Sequence, residues 1–432
     1  MKKVAFYTLG CKVNQYETDA MLDMFKKDGY DQVESEEFAD VYVINTCTVT
    51  HMSDRKSRQY IRRMKKKNPD SIICVVGCYS QVSPEEILEI EEVNLVMGTN
   101  ERRQIVEEIK KLDASKKMST VDDIMKVREF EEIEISQTNG KTRAFMKIQD
   151  GCDRFCTYCI IPYARGGKIR SRDLESVVNE AKKLSENGYK EIVLTGIHVA
   201  SYGKDFKYEK DLLTVIKEIA NITKIERIRI SSVEPILFTD EFVSEINKID
   251  KLCKHYHLSL QSGADDTLDR MNRRYTTKEY KDIVDRLREN IKDVSITTDV
   301  IVGFPGETND EFDQTLQFLK EIELTQMHIF KYSPRKGTPA SEMKNQIDPQ
   351  IKQIRSDALS SLNRENFEKF ASKFVGQEMK VLFEQSVDSN NYEGLTNNYL
   401  RVVVSSDKDL QGEILNVLIK EVKNEYVIGE LV

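Results

Sequence analysis

The chain has 432 residues, of which 39% are hydrophobic, and its 65 Lys and Arg against 73 Asp and Glu give a net charge of −8. At roughly 150 residues per domain, this length predicts two to four domains with cores that need no disulfides. The composition excludes disordered and fibrous classes. No run approaches the roughly 18 apolar residues of a membrane span, and the start shows no signal-peptide pattern. We therefore expect a cytoplasmic protein with no membrane partner.

Residues 1–115 are predicted to form a small doubly wound α/β domain. Four apolar runs, KVAFYTL, VYVINT, IICVVG and NLVMG, are typical of buried parallel strands because they are continuous and rich in β-branched residues. Amphipathic segments between them predict helices, including a basic helix from Ser53 to Lys67. Sheets of this kind bind their ligands at the carboxyl ends of the strands. Cys11, Cys47 and Cys78 each follow one of these strands.

The rest of the chain divides into a predicted linker and two further predicted regions. Residues 116–137 are charged and are predicted to be a linker. Within residues 138–370, strand patterns about 30 to 45 residues apart alternate with amphipathic helices, the spacing of βα units. The strand patterns are RAFMKIQD, EIVLTG, RIRISS, HYHLSLQS, SITTDVIVG and MHIFKYS. Six strands instead of eight predict a partial, TIM-like (β/α)6 barrel. Residues 371–432 hold short strands separated by Asn, Asp and Gly turns, which predicts a small antiparallel β-barrel.

The strongest chemical signal is the string DGCDRFCTYCIIPYARG, which follows the first barrel strand. It places Cys152, Cys156 and Cys159, called the loop triad below, in one loop. Three thiolates at a barrel strand's carboxyl end can hold three irons of a cubane and leave the fourth open to a substrate. A structural zinc site normally has a fourth ligand. Because His198 could supply that ligand from another loop, zinc is the alternative that the spacing leaves open.

The other five cysteines fall into two classes. Cys11, Cys47 and Cys78, called the amino-terminal triad below, follow strands in turns that contain Gly or Thr, which favours a ligand role. Buried packing cysteines are the alternative for these three. Cys74 lies inside an apolar strand and Cys253 has no partner at ligand spacing, so both are predicted to be packing residues.

These motifs resemble the radical S-adenosylmethionine (SAM) superfamily, whose hallmark is the spacing of the loop triad. Over essentially the whole chain, GCKVNQYE, NTCTV, VGCYSQ, the loop triad and a carboxyl-terminal barrel similar to a TRAM domain resemble the methylthiotransferase family. The resemblance implies a [4Fe-4S] cluster on the loop triad whose open iron takes SAM, which is cleaved to a hydrogen-abstracting 5′-deoxyadenosyl radical. It also implies a second [4Fe-4S] cluster on the amino-terminal triad that delivers sulfur. No side chain is expected to act as a catalytic acid or base.

The other strand ends of the barrel are predicted to contact the cofactor, since ligands of such barrels gather there. They carry polar side chains, and glycines that allow close backbone approach: Thr195, Gly196, Ser232, Glu234, Gln261, Ser262, Gly303, Gly306 and Glu307. Glycines that simply turn the chain are the alternative. Many radical SAM enzymes carry Gly-Gly-Glu after the second strand, whereas this chain has Leu194-Thr195-Gly196-Ile197.

Local basic clusters indicate a polyanionic partner despite the negative net charge. Residues 55–67 hold eight Lys or Arg in thirteen positions. A solvated helix face is the alternative, and the family resemblance favours RNA. The residues predicted to contact RNA are Arg62, Arg63, Lys66, Arg165, Arg170, Arg273, Arg274, Lys373 and Arg401. In the last barrel, Phe374, Tyr392 and Tyr399 are predicted to stack on bases.

The choice among methylthiotransferase substrates depends on short strings. GCKVNQYET, QDGCDRFCTYCIIPYARG, RIRISSVEP and HLSLQSGADDTLDRMNRRYT look most like the enzymes that act on N6-threonylcarbamoyladenosine at position 37 of tRNA. The isopentenyladenosine type more usually has GCQMN and HLPVQSG, and the type that modifies a ribosomal-protein aspartate has GCPKN. We therefore predict that the chain forms 2-methylthio-N6-threonylcarbamoyladenosine in the tRNA anticodon loop. A flavodoxin-like or similar electron donor and a sulfur source would be further partners. The alternatives are the other two substrates, or a non-catalytic iron–sulfur protein that binds RNA or senses redox state.

Overall fold

The structure is a computed structural model that describes residues 2–49, 51–113, 115–135 and 142–432. The predicted fold class is confirmed, with a parallel α/β sheet, a partial barrel and a closed β-barrel in chain order. The predicted boundary between linker and barrel, at residues 137 and 138, lies outside the described residues. No helix in the part of the chain described has the length and apolarity needed to cross a membrane.

The first region is a parallel sheet with the strand order β2-β1-β3-β4-β5-β6. Its elements are β1 (Lys3–Thr8), α1 (Lys12–Lys27), β2 (Asp31–Val33), β3 (Val41–Thr46), α2 (His51–Lys67), β4 (Ile72–Gly77), α3 (Cys78–Val82), α4 (Pro84–Leu88), β5 (Leu95–Val96), α5 (Ile105–Lys110) and β6 (Met118–Ser119). The four predicted strands form because their continuous apolar runs are covered on both faces. The pattern missed β2 as a strand, since this short edge strand buries little. The last strand, β6, lies within the predicted linker.

The second region is the partial barrel. Its elements are β7 (Arg143–Asp150), α6 (Ile161–Arg165), β8 (Arg170–Ser171), α7 (Leu174–Glu186), β9 (Glu191–Gly196), α8 (Leu212–Ala220), β10 (Arg227–Ile230), α9 (Asp240–Ile246), β11 (His255–His257), α10 (Asp265–Arg270), α11 (Thr277–Asn290), β12 (Ser295–Val302), α12 (Asn309–Ile322), β13 (Gln326–Lys331), α13 (Pro339–Glu342) and α14 (Pro349–Ser372). All six predicted strands are present, and the short β8 pairs antiparallel with β7. Parallel bridges between Ile228 and Leu252 and between Val233 and Leu258 join the two halves, β10-β9-β7-β8 and β11-β12-β13.

The third region is a closed barrel with the order β14-β15-β16-β18-β17. Its strands are β14 (Glu378–Ser386), β15 (Asn391–Thr396), β16 (Arg401–Ser405), β17 (Ile414–Val422) and β18 (Val427–Leu431). The sequence pattern missed β15, because its Asn and Gly are typical of turns. Gly394 is needed there, since a Cβ would lie 2.3 Å from the carbonyl oxygen of Leu382. The barrel is not wholly antiparallel, because β18 closes it by pairing parallel to β16.

The closed barrel covers the amino ends of the partial barrel's strands. Arg227 starts β10 and donates from its two terminal nitrogens to the carbonyl oxygens of Leu395 and Lys380, each at 2.8 Å. The Tyr399 ring stacks on His255 with centroids 4.0 Å apart. The cysteine loops follow the carboxyl ends of strands, so the closed barrel seals the end that lies opposite to them.

Candidate active site

The amino-terminal triad stands at the carboxyl ends of three adjacent strands. Cys11 follows β1, Cys47 follows β3 and Cys78 follows β4. Gly10 has a φ of +114°, and a Cβ on it would lie 2.9 Å from the Cβ of Cys47, so two of the loops touch only because this residue is glycine. Burial, with a contribution from the neighbouring thiols, raises the pKa of Cys47 and raises that of Cys78 to about 12. The three thiols therefore share one site.

Two polar side chains tie these cysteine loops together. The Asn14 amide donates to the carbonyl oxygens of Leu9 at 2.8 Å and Thr46 at 2.9 Å, the residues near Cys11 and Cys47. Arg165 donates from Nη2 to Asn14 Oδ1 at 2.6 Å, and its Nε lies 3.3 Å from Cys78 Sγ. The loops are thereby fixed to each other and to α6, which follows the loop triad.

Arg165 and Arg170 do not lie on the surface. Both side chains are buried, and Arg165 is paired with the carboxylate of Glu17. Arg170 donates to the backbone carbonyl of Arg165 at 2.9 Å. Their burial contradicts the prediction that they contact RNA. The basic pattern of the sequence reflects a buried ionic network here, because a charged side chain is kept inside a protein only where it is paired.

The loop triad lies between β7 and α6. Gly151 opens the loop with a φ of +74°, and a Cβ on it would lie 1.9 Å from the carbonyl oxygen of Lys168. Burial, with the neighbouring thiol of Cys156, raises the pKa of Cys152 and of Cys159 to about 12. Coordination to iron removes these protons, because only the thiolate is a metal ligand.

A cubane and a single metal ion differ in how closely their ligands must approach one another. In the described part of the chain, no three His, Cys, Asp or Glu side chains converge as the ligands of one metal ion would. A cubane offers each thiolate a different iron, so its ligands need not meet at one point. His198 is also occupied, with Nδ1 bonded to Ser201 and Nε2 lying 3.1 Å from Glu234 Oε2. Its imidazole is therefore directed at a carboxylate.

A buried polar group stands beside the loop triad. Arg154 lies inside the loop that carries the triad. Its Nη2 is 2.7 Å from Glu234 Oε2, the same oxygen that lies 3.1 Å from His198 Nε2. Although burial raises the pKa of Glu234, the bond to His198 and the charge of Arg154 outweigh it and lower the pKa to about 2. Glu234 is among the residues predicted to contact the cofactor, whereas Arg154 is not, although its position between Cys152 and Cys156 was a signal for it.

The second strand end is built around Gln149. Its Oε1 accepts the backbone N–H of His198 at 2.7 Å, and a Cβ on Gly196 would meet the same side chain at 3.0 Å. Thr195 is buried beside this contact, whereas Ser232 is exposed. The contacts predicted between these residues and the cofactor stay predictions.

The remaining predicted cofactor residues make contacts within the protein. Ser262 Oγ lies 3.3 Å from a threonine hydroxyl of α12, and Gly306 has a φ of +79° in a turn. Glu307 accepts the N–H of Gly303 and pairs with Arg355 at 3.3 Å. A Cβ on Gly303 would lie 2.3 Å from the side chain of a lysine in α14. This turn is thus held against α14, and its contact with the cofactor stays a prediction.

A cavity of about 230 Å³ lies beside the loop triad, and its lining reaches the segment that follows Cys47. Its lining residues are Val49, Tyr158, Cys159, Ile160, Ile161, Gln261, Asp299, Ile301, Phe330, Lys331, Tyr332, Ser333 and Arg335. Cys159 belongs to the loop triad, Val49 is two residues from Cys47, and Arg335 lies 2.7 Å from Asp54 in α2. The aromatic rings in the lining offer faces on which a nucleobase can stack.

Basic side chains on α2 extend from the edge of this cavity. Arg55, Arg62 and Lys66 recur at helical spacing on one exposed face, and the neighbouring Arg63 pairs with Glu36. The opposite face of α2 packs in the core. The predicted RNA contacts of this helix are therefore sterically open.

The other predicted RNA contacts are in different surroundings. Arg274 and Lys373 are exposed, and Arg401 is paired with Glu393. Arg273 is half-buried, with Nη1 lying 3.3 Å from Cys156 Sγ.

Two of the aromatic predictions are wrong. Phe374 is buried in the core of the closed barrel, and Tyr399 is stacked on His255. The aromatic pattern of these residues reflects packing, because the closed barrel must bury its interior and its contact with the partial barrel.

Three family models match the chain. They are described as "Uncharacterized protein family UPF0004" over residues 3–98, "Radical SAM superfamily" over residues 146–319 and "TRAM domain" over residues 372–432.

The curated relatives cover the chain almost end to end. A threonylcarbamoyladenosine tRNA methylthiotransferase of Bacillus subtilis is 42% identical over 100% of this chain and 97% of its own. One from Aquifex aeolicus is 41% identical over 96% of this chain and 100% of its own. A tRNA-2-methylthio-N(6)-dimethylallyladenosine synthase of Clostridium botulinum is 36% identical over 98% and 95%.

Solved structures share the fold at low sequence identity. A radical SAM methyltransferase from Kitasatospora setae, solved with cobalamin and a [4Fe-4S] cluster, has a TM-score of 0.56 at 15% identity, over 79% of this chain and 77% of its own. A cobalamin-dependent SAM radical enzyme has a TM-score of 0.51 at 13% identity, over 85% and 56%.

Proposed function

Because the chain belongs to the methylthiotransferase family of radical SAM enzymes, we propose that it converts N6-threonylcarbamoyladenosine at position 37 of tRNA to 2-methylthio-N6-threonylcarbamoyladenosine. The observation that carries this proposal is the cavity beside the loop triad, which is lined by Cys159 and also by Val49, two residues from Cys47 of the amino-terminal triad. A base bound in this cavity would lie beside the loop triad and against the segment that follows Cys47.

The two triads would hold the two [4Fe-4S] clusters. When bound, the clusters and SAM supply a 5′-deoxyadenosyl radical, the transferred sulfur and the methyl group. The chain's own task is to orient the cofactor and the base and to exclude water. We assign the cofactor's polar contacts to Glu234 and Gln261, since Glu234 stands beside the loop triad and Gln261 lines the cavity.

The substrate is a base in a single-stranded loop, which can be swung out of its stack at modest cost. Tyr158, Phe330 and Tyr332 in the cavity wall provide faces for stacking. The exposed basic face of α2 begins near the cavity and would follow the phosphate backbone of the anticodon arm.

Lys12 favours the threonylcarbamoyl substrate over the isopentenyl one. It is the first residue of α1, directly after Cys11, and it pairs with no carboxylate in the portion of the chain described. Burial, followed by the charges of Arg143 and Arg229, lowers its pKa to about 8, and the charge of Glu191 offsets this only in part. Lys12, Arg143 and Arg229 together outnumber this one carboxylate, so an anion would bind favourably beside them. The threonylcarbamoyl group carries a carboxylate, whereas the isopentenyl group carries no charge.

The remaining partners belong to the same proposal. The reaction needs an external electron donor, flavodoxin-like or similar, and a sulfur source. We include a cytoplasmic location in this proposal because the cysteines are free thiols, as is usual in a reducing compartment.

Nucleoside mass spectrometry tests the proposal directly. tRNA is isolated from a host that lacks methylthio modifications, with and without this chain expressed. We expect 2-methylthio-N6-threonylcarbamoyladenosine and no isopentenyl analogue, with Cys156→Ala as the inactive control. Iron-loaded protein that produces no new nucleoside would contradict the assignment to tRNA, and the mass of the ribosomal-protein peptide would then be measured.

Formation of 5′-deoxyadenosine with dithionite and SAM separates an enzyme from a non-catalytic iron–sulfur protein.

A further inference from the structure

Each cysteine triad has one arginine placed against one sulfur. The Nε of Arg165 lies 3.3 Å from Cys78 Sγ in the amino-terminal triad. The Nη1 of Arg273 lies 3.3 Å from Cys156 Sγ in the loop triad. The arrangement is thus repeated at two sites built from different parts of the chain.

The guanidinium of Arg165 is held in a fixed orientation. It is fully buried, its Nη1 pairs with Glu17, and its Nη2 donates to Asn14 Oδ1 at 2.6 Å and to Glu17 Oε2 at 2.9 Å. With both terminal nitrogens engaged, the planar fork leaves its Nε–H directed at Cys78.

Arg273 is fixed in a similar way from the other side of the barrel. Its Nε donates to the hydroxyl of Tyr275 at 2.9 Å, and its Nη2 donates to the carbonyl oxygen of Ser259 at 3.2 Å. The guanidinium lies over the Tyr275 ring, 4.9 Å from the centroid. Its Nη1 is the nitrogen that remains for Cys156.

The charges around Arg165 also indicate an anionic neighbour. Among the residues that the structure describes, the buried network holds four cations and three carboxylates, namely Arg102, Lys147, Arg165, Arg170, Glu17, Asp150 and Glu131. One positive charge is left in excess, and a buried charge without a counter-ion is costly. The thiolates of a bound cluster at Cys78 would supply that counter-charge.

We propose that Arg165 and Arg273 are positioning residues that each donate an N–H to one cysteine sulfur and set the reduction potentials of the two clusters independently. The inference rests on the proposed function for the presence of the clusters. A hydrogen bond and a positive charge at a ligand sulfur stabilise the reduced, more negative cluster and raise its potential. Loss of either arginine therefore shifts one cluster, and only that cluster, to a more negative potential.

The test is a crossed redox titration on full-length, iron-reconstituted protein, followed by electron paramagnetic resonance. One background replaces the loop triad with Ala, so that only the amino-terminal cluster remains, and the other replaces the amino-terminal triad. Arg165→Met and Arg273→Met are introduced into both. We expect Arg165→Met to lower the potential only in the first background and Arg273→Met only in the second, so each variant is the other's control.

Conservative variants keep the test decisive if a substitution disturbs folding. Arg165→Lys and Arg273→Lys retain the positive charge but lose the planar guanidinium. The double variant Glu17→Gln with Arg165→Met removes the two paired charges, one anion and one cation, together. Iron-loaded variants with unchanged potentials, or with equal shifts in both clusters, would overturn the inference. A parent protein that takes up no cluster on a triad would instead overturn the proposed function of that triad.

Discussion

At the residue scale, the eight cysteines differ in where they lie relative to the strands. Cys74 lies inside β4 with its side chain in the core, and Cys253 is buried beneath Arg229. The six triad cysteines instead follow strands, where turns direct side chains toward a common edge. Position relative to the strand end, more than burial, distinguishes the six predicted ligands from the two predicted packing cysteines.

Replacing Cys156 with Ala is expected to abolish formation of 5′-deoxyadenosine, because the loop cluster loses one of three ligands. Binding of tRNA should stay nearly intact. The measurement is product formation under dithionite together with a filter-binding affinity for tRNA. Cys74→Ala is the matched control, since it removes a buried sulfur at a cost of about 1 kcal/mol and leaves the clusters unchanged. Full activity of the Cys156 variant would rule out the radical mechanism.

Replacing Lys12 with Gln is expected to lower kcat/KM for the threonylcarbamoyl substrate. A hydrogen bond to a charged group contributes about 1.5–3 kcal/mol, which corresponds to roughly a ten- to hundredfold loss. The measurement compares an anticodon stem-loop carrying the free carboxylate with one carrying its methyl ester. The variant should lose the preference for the free acid. An unchanged preference would show that the carboxylate binds elsewhere.

At the element scale, α2 combines a buried face with a basic one. Tyr60, Ile61 and Met64 pack in the core, while Arg62 and Lys66 point to solvent. A helix with this pattern forms because its apolar stripe is covered, and its charges are then free for another role. In the sequence, charge alone does not distinguish this exposed face from the buried arginines that follow the loop triad, Arg165 and Arg170.

Arg62→Ala is expected to weaken tRNA binding and to reduce the slope of log affinity against log salt by about one. The measurement is tRNA affinity at several salt concentrations. Lys182→Ala removes one exposed charge from α7 and should leave both quantities unchanged. Cleavage of SAM without tRNA should be normal in both variants. Equal salt slopes for the two would exclude α2 from the RNA interface.

At the scale of the whole molecule, one buried carboxylate joins the first two regions. Glu17 of α1 contacts Arg102, Arg165 and Lys147, which come from both sides of the interface. Burial by itself raises the pKa of Glu17, but the three cations outweigh it and hold the pKa well below its usual range. Tyr16 of the same helix packs in the core of the partial barrel. The two triads are thereby held in a fixed relation.

Glu17→Gln is expected to destabilise the protein by about 3–5 kcal/mol, because it leaves buried cations without a counter-charge. The pKa of Glu17 is lower in the folded state than in the unfolded state. The ionised carboxylate therefore contributes its full share to the free energy of unfolding above the unfolded pKa of about 4.3, and this share is lost as the pH falls through the lower folded pKa. Denaturant unfolding at pH 7 and at acid pH measures both effects. Glu89→Gln, at an exposed position, should change stability by less than about 0.5 kcal/mol. Equal stabilities of the two variants at pH 7 would contradict this role.

The sequence by itself determined the three-part fold, the order of the partial barrel's strands along the chain and the position of the six predicted ligand cysteines after strands. These features follow from local patterns. Continuous apolar runs form buried strands, and the residues directly after them lie at the edge of the sheet where ligands bind. Short edge strands such as β2, and β15 with its glycine, escaped because their pairing depends on neighbours distant in sequence.

Only the tertiary structure decided where the charged side chains lie. Arg165, Arg170 and Arg273 resemble surface residues in the sequence, yet two are buried and one faces Cys156. The partners of a buried charge, such as Glu17 for Arg165, are more than a hundred residues away along the chain. The cavity beside the loop triad likewise takes Val49 from one predicted region and its other lining residues from another, which no local pattern encodes.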